Sequence, residues 1–362
     1  MARRNNTRNN TREQHTEPVF DVTAVPHRCP EGAVQSGFGA RLSGMNAQFR
    51  PVRTITVPSE DLLQALEPVP DGFRAGVWDL EGEPRGLAFG DIDAVVLPYA
   101  AGNDWREALG RVPNLKLIQA QTTGYDGLPE LAGPGVAVAS AAGVHAAGTA
   151  ELALTLMLAS LRGVDDAVRN AQTGTWDSRR YRGLADARVL MVGVGGIGAA
   201  IARRLEPFEV ELTRVGSRAR TDGHGTVHGT DELVDLARTA DVLVVITPLN
   251  DQTRHLIGRE VLAALPDGAL VVNVARGAVV DTDALTAEVV SGRLHAALDV
   301  VDPEPLPADH PLWKAPNAII TPHVGGNTEA FVPRIRKLLN EQVGRLARGE
   351  EPANLVLRGP WA

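Results

Sequence analysis

Cysteine is almost missing from this chain of 362 residues: Cys29 stands alone. That excludes an internal disulfide and any metal site built on clustered thiolates. Lysine is nearly as scarce, with only Lys116, Lys314 and Lys337 among 36 basic residues. Biased codon composition explains that shortage more simply than function does. No apolar run reaches the roughly 18 residues that span a bilayer. A basic excess is lacking too. The formal net charge is −8, which disfavours a nucleic-acid partner. The histidines are scattered without ligand spacing, so no metal site is expected. The opening segment has no apolar stretch behind its positive residues, so it does not read as a secretory signal. Glu13, Glu17, Asp21 and Glu31 weigh against a transit peptide. A cytoplasmic protein is the expectation.

Hydrophobic residues make up 44% and charged residues 22%, as in ordinary globular proteins. The length suits one large domain or two ordinary ones. Residues 1–44 are polar, Asn/Thr/Arg-rich and without periodicity. They read as a disordered tail that reaches to about residue 50, with Met45 as an alternative start. From Thr54 the pattern changes. TITVPS, FRAGVWDL, DIDAVVLPY, LKLIQAQ and GVAVASA are short apolar runs punctuated by glycine and proline, as parallel strands of an α/β layer are. Residues 146–162 form a long helix, apolar on most sides, which suits either a core position or a subunit interface. A second set begins at Ala187, with strands ARVLMVGV, VELTRVG, DVLVVITPL, ALVVNVARG, HAALDVV and NAIITPHVGG. Between them, residues 281–292 read as a helix with Asp281 at its start and Gly292 past its end. Residues 329–350 are amphipathic and helical.

Gly193, Gly195 and Gly198 spell G-x-G-x-x-G between a hydrophobic strand and a helix. Glycines there let backbone N–H groups approach a pyrophosphate, and the helix N-terminus faces its charge. The fingerprint ordinarily places an acid about 20 residues on, bonded to the adenosine ribose. Here the second strand ends at Gly216, followed by Ser217, Arg218, Ala219 and Arg220. Ser217, Arg218 and Arg220 suit a 2′-phosphate where a carboxylate would repel it, so NADP(H) is favoured over NAD(H). The alternative is that both arginines are solvated loop charges.

Polar groups close several apolar runs: Thr247, Arg276, Asp299 and His323. In open α/β sheets ligands bind beyond these strand ends. Arg276 can clamp a carboxylate and His323 can give a proton near neutral pH. Glu304, in a proline-rich loop, can orient an imidazole and raise its pKa. Alone, each reads as a surface or packing residue. Together, downstream of a dinucleotide turn, they are the parts of a ketone reduction.

The segments VGVGGIGAAIARRL, ITPLNDQTRHLI, LVVNVARGAVVD, AALDVVDPEPLP, HPLW and ITPHVGG, in this order, resemble the D-isomer-specific 2-hydroxyacid dehydrogenase family. The resemblance covers roughly residues 54–357. It implies two doubly wound parallel-sheet domains, with a Rossmann cofactor domain (146–326) inserted into a flavodoxin-like substrate domain (51–145 and 327–362). It implies Arg276 as the substrate-carboxylate arginine, His323 as general acid/base and Glu304 as its partner. Asp299 would bond the nicotinamide carboxamide. Gly196 and Ile197 would lie along the pyrophosphate, with Thr247, Pro248 and Ala275 also beside the cofactor. Backbone amides of Thr123 and Gly124 would help hold the substrate carboxylate. The long helix would be a dimer helix. The loop VGSRAR is similar to that of the NADPH-using glyoxylate and hydroxypyruvate reductases. The end at Ala362 leaves no room for an appended amino-acid-binding domain. The expected reaction is reversible hydride transfer between NADPH and a small 2-oxoacid, giving a D-2-hydroxyacid. Tyr99, Tyr125, Trp176 and Trp313 are candidates for the pocket border, the last two from another subunit. With lysine absent there apart from Lys116, a phosphate site would need an arginine such as Arg106, so a glyoxylate- or hydroxypyruvate-like acid is favoured. The alternatives are a dinucleotide-binding regulator like the related corepressors, or a family dehydrogenase for phosphoglycerate, phosphite or formate.

Overall fold

The inner strands of the two six-stranded sheets are buried on both faces, as strands of parallel sheets are. The structure is a computed structural model that describes residues 51–99 and 105–361; the polar tail and Met45 lie outside the described residues. In chain order the strands are β1 (Thr54–Val57), β2 (Arg74–Val77), β3 (Ala94–Val96), β4 (Leu117–Gln119), β5 (Ala137–Ala139), β6 (Arg188–Val192), β7 (Glu211–Val215), β8 (Arg220–Asp222), β9 (Gly225–Val227), β10 (Val242–Val245), β11 (Leu270–Asn273), β12 (His295–Leu298), β13 (Ala318–Ile320) and β14 (Leu355–Leu357).

The first sheet runs β14-β5-β4-β3-β1-β2 and is parallel except for β14, which lies antiparallel to β5. Its first five strands follow the flavodoxin-like order, which reverses between β1 and β3. The second sheet runs β13-β12-β11-β10-β6-β7, all parallel, and reverses between β6 and β10. The β8–β9 hairpin is a sheet of its own, but His228 just after it bridges Val215 in parallel. One bridge thus stands where a Rossmann sheet carries its third strand.

The predicted strands are present but shorter than their apolar runs. Each stops where backbone pairing stops, and the remaining apolar residues lead into the loops beyond. The helix predicted at 281–292 spans Thr282–Val290. The Asp281 carboxylate accepts from the Ala284 N–H at 2.9 Å, and Gly292 follows the end with φ +80°. The long helix spans Ala146–Leu161. Ala150, Ala153, Leu156 and Met157 pack into the second sheet with Val189, Met191 and Val272. Its exposed residues are Glu151 and Thr155, so much of its apolar surface is covered by its own chain.

After β13 the chain returns to the first sheet. The helix Phe331–Ala347 buries Ile335, Leu339 and Val343 against Ile55, Val57 and Leu117. The two crossings touch. The ring nitrogens of His145 stand 2.8 Å from the Gln121 carbonyl oxygen and 3.3 Å from that of Gly326. A Cβ on Gly148 would lie 3.0 Å from the Gly325 carbonyl oxygen. No described helix is long and apolar enough to cross a membrane.

Candidate active site

The turn after β6 is shaped by glycine. Gly193 has φ +120°, and a Cβ there would lie 2.4 Å from the Ile246 carbonyl oxygen. The chain then enters the helix Gly196–Leu205 through Gly195. Gly198 packs on the carbonyl of Gly193, whereas added Cβ atoms on Gly195 and Gly196 would meet only open space. This cradle, with its helix N-terminus, fits a dinucleotide pyrophosphate. The loop after β10 abuts it: the Thr247 backbone nitrogen is 2.9 Å from where a Gly193 Cβ would be, and Pro248 follows at the surface. Gly216 is buried beside Val194 at the end of β7. Ser217, Arg218 and Arg220 continue from it and are exposed, with Arg220 donating to the Arg218 carbonyl. No carboxylate occupies the ribose position of this turn.

A cavity of about 800 Å³ lies between the loops of the two sheets. Arg276, Asp299, Glu304, His323, Thr123, Gly124 and Ile197 all line it. Gly193, Gly195, Gly196, Gly198, Ser217, Arg218, Arg220, Thr247, Pro248 and Ala275 do not. Of the four aromatic candidates only Tyr99 lines it, beside His145 and Phe331. Tyr125, between the lining residues Gly124 and Asp126, is exposed, as are Trp176, almost wholly at 94%, and Trp313. Arg106 lies at the cavity wall with Trp105.

His323 and Glu304 form one unit. The His323 Nδ1 and the Glu304 Oε2 are 2.7 Å apart. That hydrogen bond, helped by the Glu304 charge, raises the His323 pKa above its ordinary value against burial and the Arg276 charge. Burial alone would raise the Glu304 carboxyl. The hydrogen bond and charge of His323, with the Val301 N–H and Arg276, outweigh it and lower the carboxyl instead. His323 has φ +53°, uncommon for a side chain of this size. Its N–H donates to the Asp299 carbonyl at 2.8 Å. Asp299 is buried, 3% exposed, and its carboxylate accepts from the Thr321 hydroxyl and from the Val324 and Gly325 N–H groups. It thereby fixes the loop that presents His323. Only one of these bonds reaches Oδ2, which keeps acceptor capacity for a ligand amide.

Arg276 follows β11. Its Nη1 donates to the Ala275 carbonyl and its Nε to the Asp126 carboxylate at 2.9 Å. Its Nη2 occupies the space a side chain would take on Gly124, 1.4 Å from an added Cβ. Thr122 closes that loop by donating to the Gly124 carbonyl. Asp126 stands two residues after Gly124, in the segment TTGYD, but no local sequence signal gives it a role, because its partner is 150 residues away. His145 and Gln121 stand in no motif either, and His145 meets the Gly326 carbonyl only through the fold, 181 residues away. No group of His, Cys, Asp and Glu suited to a metal occurs among the described residues.

The profile of the D-isomer specific 2-hydroxyacid dehydrogenase NAD-binding domain matches residues 154–325. A glyoxylate reductase of Thermofilum pendens is 33% identical over 69% of this chain and 77% of its own length. A D-3-phosphoglycerate dehydrogenase of Methanocaldococcus jannaschii is 32% identical over 73% of this chain, which spans about half (52%) of that relative. Among solved structures, a D-isomer specific 2-hydroxyacid dehydrogenase of Xanthobacter autotrophicus in complex with NADPH and MES superposes with a TM-score of 0.71 at 29% identity. That match covers 85% of this chain and 98% of the other. Sheet order, the glycine turn and these likenesses agree: the chain belongs to the D-isomer specific 2-hydroxyacid dehydrogenase family of NAD(P)-dependent oxidoreductases.

Proposed function

We propose that this protein reduces a small 2-oxoacid to its D-2-hydroxyacid, reversibly, with NADPH preferred over NADH. The observation that carries the proposal is the convergence of Arg276, the His323–Glu304 pair and the Thr123–Gly124 loop on one cavity bordered by Ile197 of the dinucleotide turn. When bound, the nicotinamide would supply hydride to C2 of the acid. Arg276, with the Thr123 and Gly124 amides, holds the substrate carboxylate. His323, charged through Glu304, gives its proton to the carbonyl oxygen as negative charge grows there. The neutral ring takes that proton back in the oxidative direction. Asp299 offers its Oδ2 to the carboxamide. Gly196 lies along the pyrophosphate, with Thr247, Pro248 and Ala275 around the rest of the dinucleotide. Ser217, Arg218 and Arg220 receive the 2′-phosphate; their exposure beside the ribose position and the absence of a carboxylate support this.

A glyoxylate- or hydroxypyruvate-like acid is the substrate we favour, in keeping with the similarity to glyoxylate reductases. The similarity to a phosphoglycerate dehydrogenase, and Arg106 at the cavity wall, favour a phosphorylated 2-oxoacid as the second reading. The test is oxidation of NADPH and NADH with glyoxylate, hydroxypyruvate, pyruvate and phosphohydroxypyruvate. NADPH-preferred turnover of the first two is expected. Preference for the phosphorylated acid would install the second reading, and the absence of turnover on every acid would refute the reductase proposal. We further infer the division into a substrate part (51–145 and 327–362) and a cofactor part (146–326), and a cytoplasmic homodimer using helix 146–162. Exposed Val164 and Val168 just beyond that helix support the dimer, and sedimentation at micromolar concentration tests it.

A further inference from the structure

Arg276 meets a carboxylate before any substrate arrives. Asp126 takes its Nε–H, and the Ala275 carbonyl takes one Nη1 hydrogen. Five donors leave a guanidinium in a planar fork. With Nε engaged, a ligand carboxylate is left the Nη edge, where Nη2 lies over Gly124. Asp126 and Gly124 share one loop, and Gly124 is open to Arg276 only because it has no side chain. The two residues that meet the guanidinium from this loop therefore fix its direction: one accepts from its side, the other admits its tip.

We propose that Asp126 is a positioning residue that aims Arg276 at the carboxylate of the substrate. The inference deepens the reductase reading and rests on its assignment of Arg276 as the carboxylate clamp. Asp126 is partly exposed, with its side chain 39% accessible, so its repulsion of an incoming anion is screened by solvent. What it supplies is a fixed fork. Without it the long side chain regains its rotamers, and its Nε edge is free to hold a carboxylate in an unproductive orientation.

The test compares the wild-type protein with Asp126→Ala and Asp126→Asn. Asparagine keeps an acceptor oxygen at the same place and drops the charge. Kinetics with glyoxylate and NADPH are measured beside calorimetric affinity for oxamate, a carboxylate that is not reduced, in the presence of NADPH. Asp126→Ala is expected to lose about tenfold in kcat/KM, carried chiefly by KM, and to lose oxamate affinity in parallel. Asp126→Asn should recover to within about threefold of wild type, with KM for NADPH unmoved in both variants. A general structural defect would move the cofactor KM and would not be rescued by asparagine. The aiming role is overturned if the alanine variant binds oxamate like wild type, or if asparagine is no better than alanine. Should Asp126→Ala fail to fold, Asp126→Asn against Asp126→Leu gives the same contrast. Wild-type protein that binds oxamate but reduces no 2-oxoacid would refute the reductase reading alone.

Discussion

His323 sits between opposing influences, and their balance is measurable. The Glu304 hydrogen bond raises its pKa from the ordinary 6.5. As the proton donor in the proposed reduction the ring must be charged. The kcat/KM for a 2-oxoacid should therefore be flat on the acid side of that raised pKa and fall once pH passes it. In the oxidative direction the neutral ring is needed, so the rate should rise across the same range. Profiles of the same shape in both directions would remove His323 from the proton path. His323→Asn should cost about 10²–10⁴-fold in kcat/KM, the usual worth of a general acid. The same pair has a consequence for stability. A raised histidine contributes fully below 6.5 and loses its contribution as pH rises through its folded pKa. A lowered carboxyl contributes above 4.5 and loses its part as pH falls through its folded pKa. The pair should favour the folded state most between those two ordinary values, by a small amount because both side chains are more than a third exposed. For Arg276, lysine is a poor substitute because it offers a point charge instead of a fork. Each charge-assisted bond lost is worth about 1.5–3 kcal/mol, so Arg276→Lys should raise KM for the acid about ten- to hundredfold.

At the scale of elements, the loop after β7 is where we propose that the cofactor is chosen. Replacing Arg218 or Arg220 by alanine should raise KM for NADPH about tenfold or more each, with KM for NADH little changed. Equal effects on both cofactors would mean that neither arginine reads the 2′-phosphate. Most of these elements were legible beforehand because parallel strands buried on both faces write themselves as apolar runs. The turn at Gly193 was legible because its backbone demands glycine. The β8–β9 hairpin was not, since RTD and GTV are short, polar and exposed on most positions. Nor was β14, three residues long and defined only by its antiparallel partner β5. Trp176 and Trp313 were expected to border a pocket from another subunit, and on this chain both are exposed, which leaves them open to a second copy. Asp126 shows the limit most plainly. A composition or a spacing cannot report that residue 126 meets residue 276, which only the meeting of loops from two sheets arranges.

Across the whole molecule, one buried amide ties distant parts of the chain. Gln342 is fully buried. Its Nε2 donates to the Gln119 side chain on β4 at 2.6 Å and to the Ala353 carbonyl, and its Oε1 accepts from the Ala353 N–H. Gln342→Ala would leave Gln119 and the Ala353 backbone without these partners at about 1–3 kcal/mol for each unsatisfied group. A clear drop in midpoint on thermal unfolding is expected. An unchanged midpoint would mean that the amide is dispensable. The contacts of the C-terminal helix with β1 and β4, and of β14 with β5, also impose an order in time. A ribosome delivers β1 to β5 first, but the helix and strand that cover them come more than 190 residues later, after all of β6 to β13. The intervening sheet is contiguous in sequence and free to fold as it emerges, at ~5–20 residues per second. The earliest-made strands must wait with an apolar flank uncovered for the longest part of synthesis, and a chain released early would be left in that half-covered state.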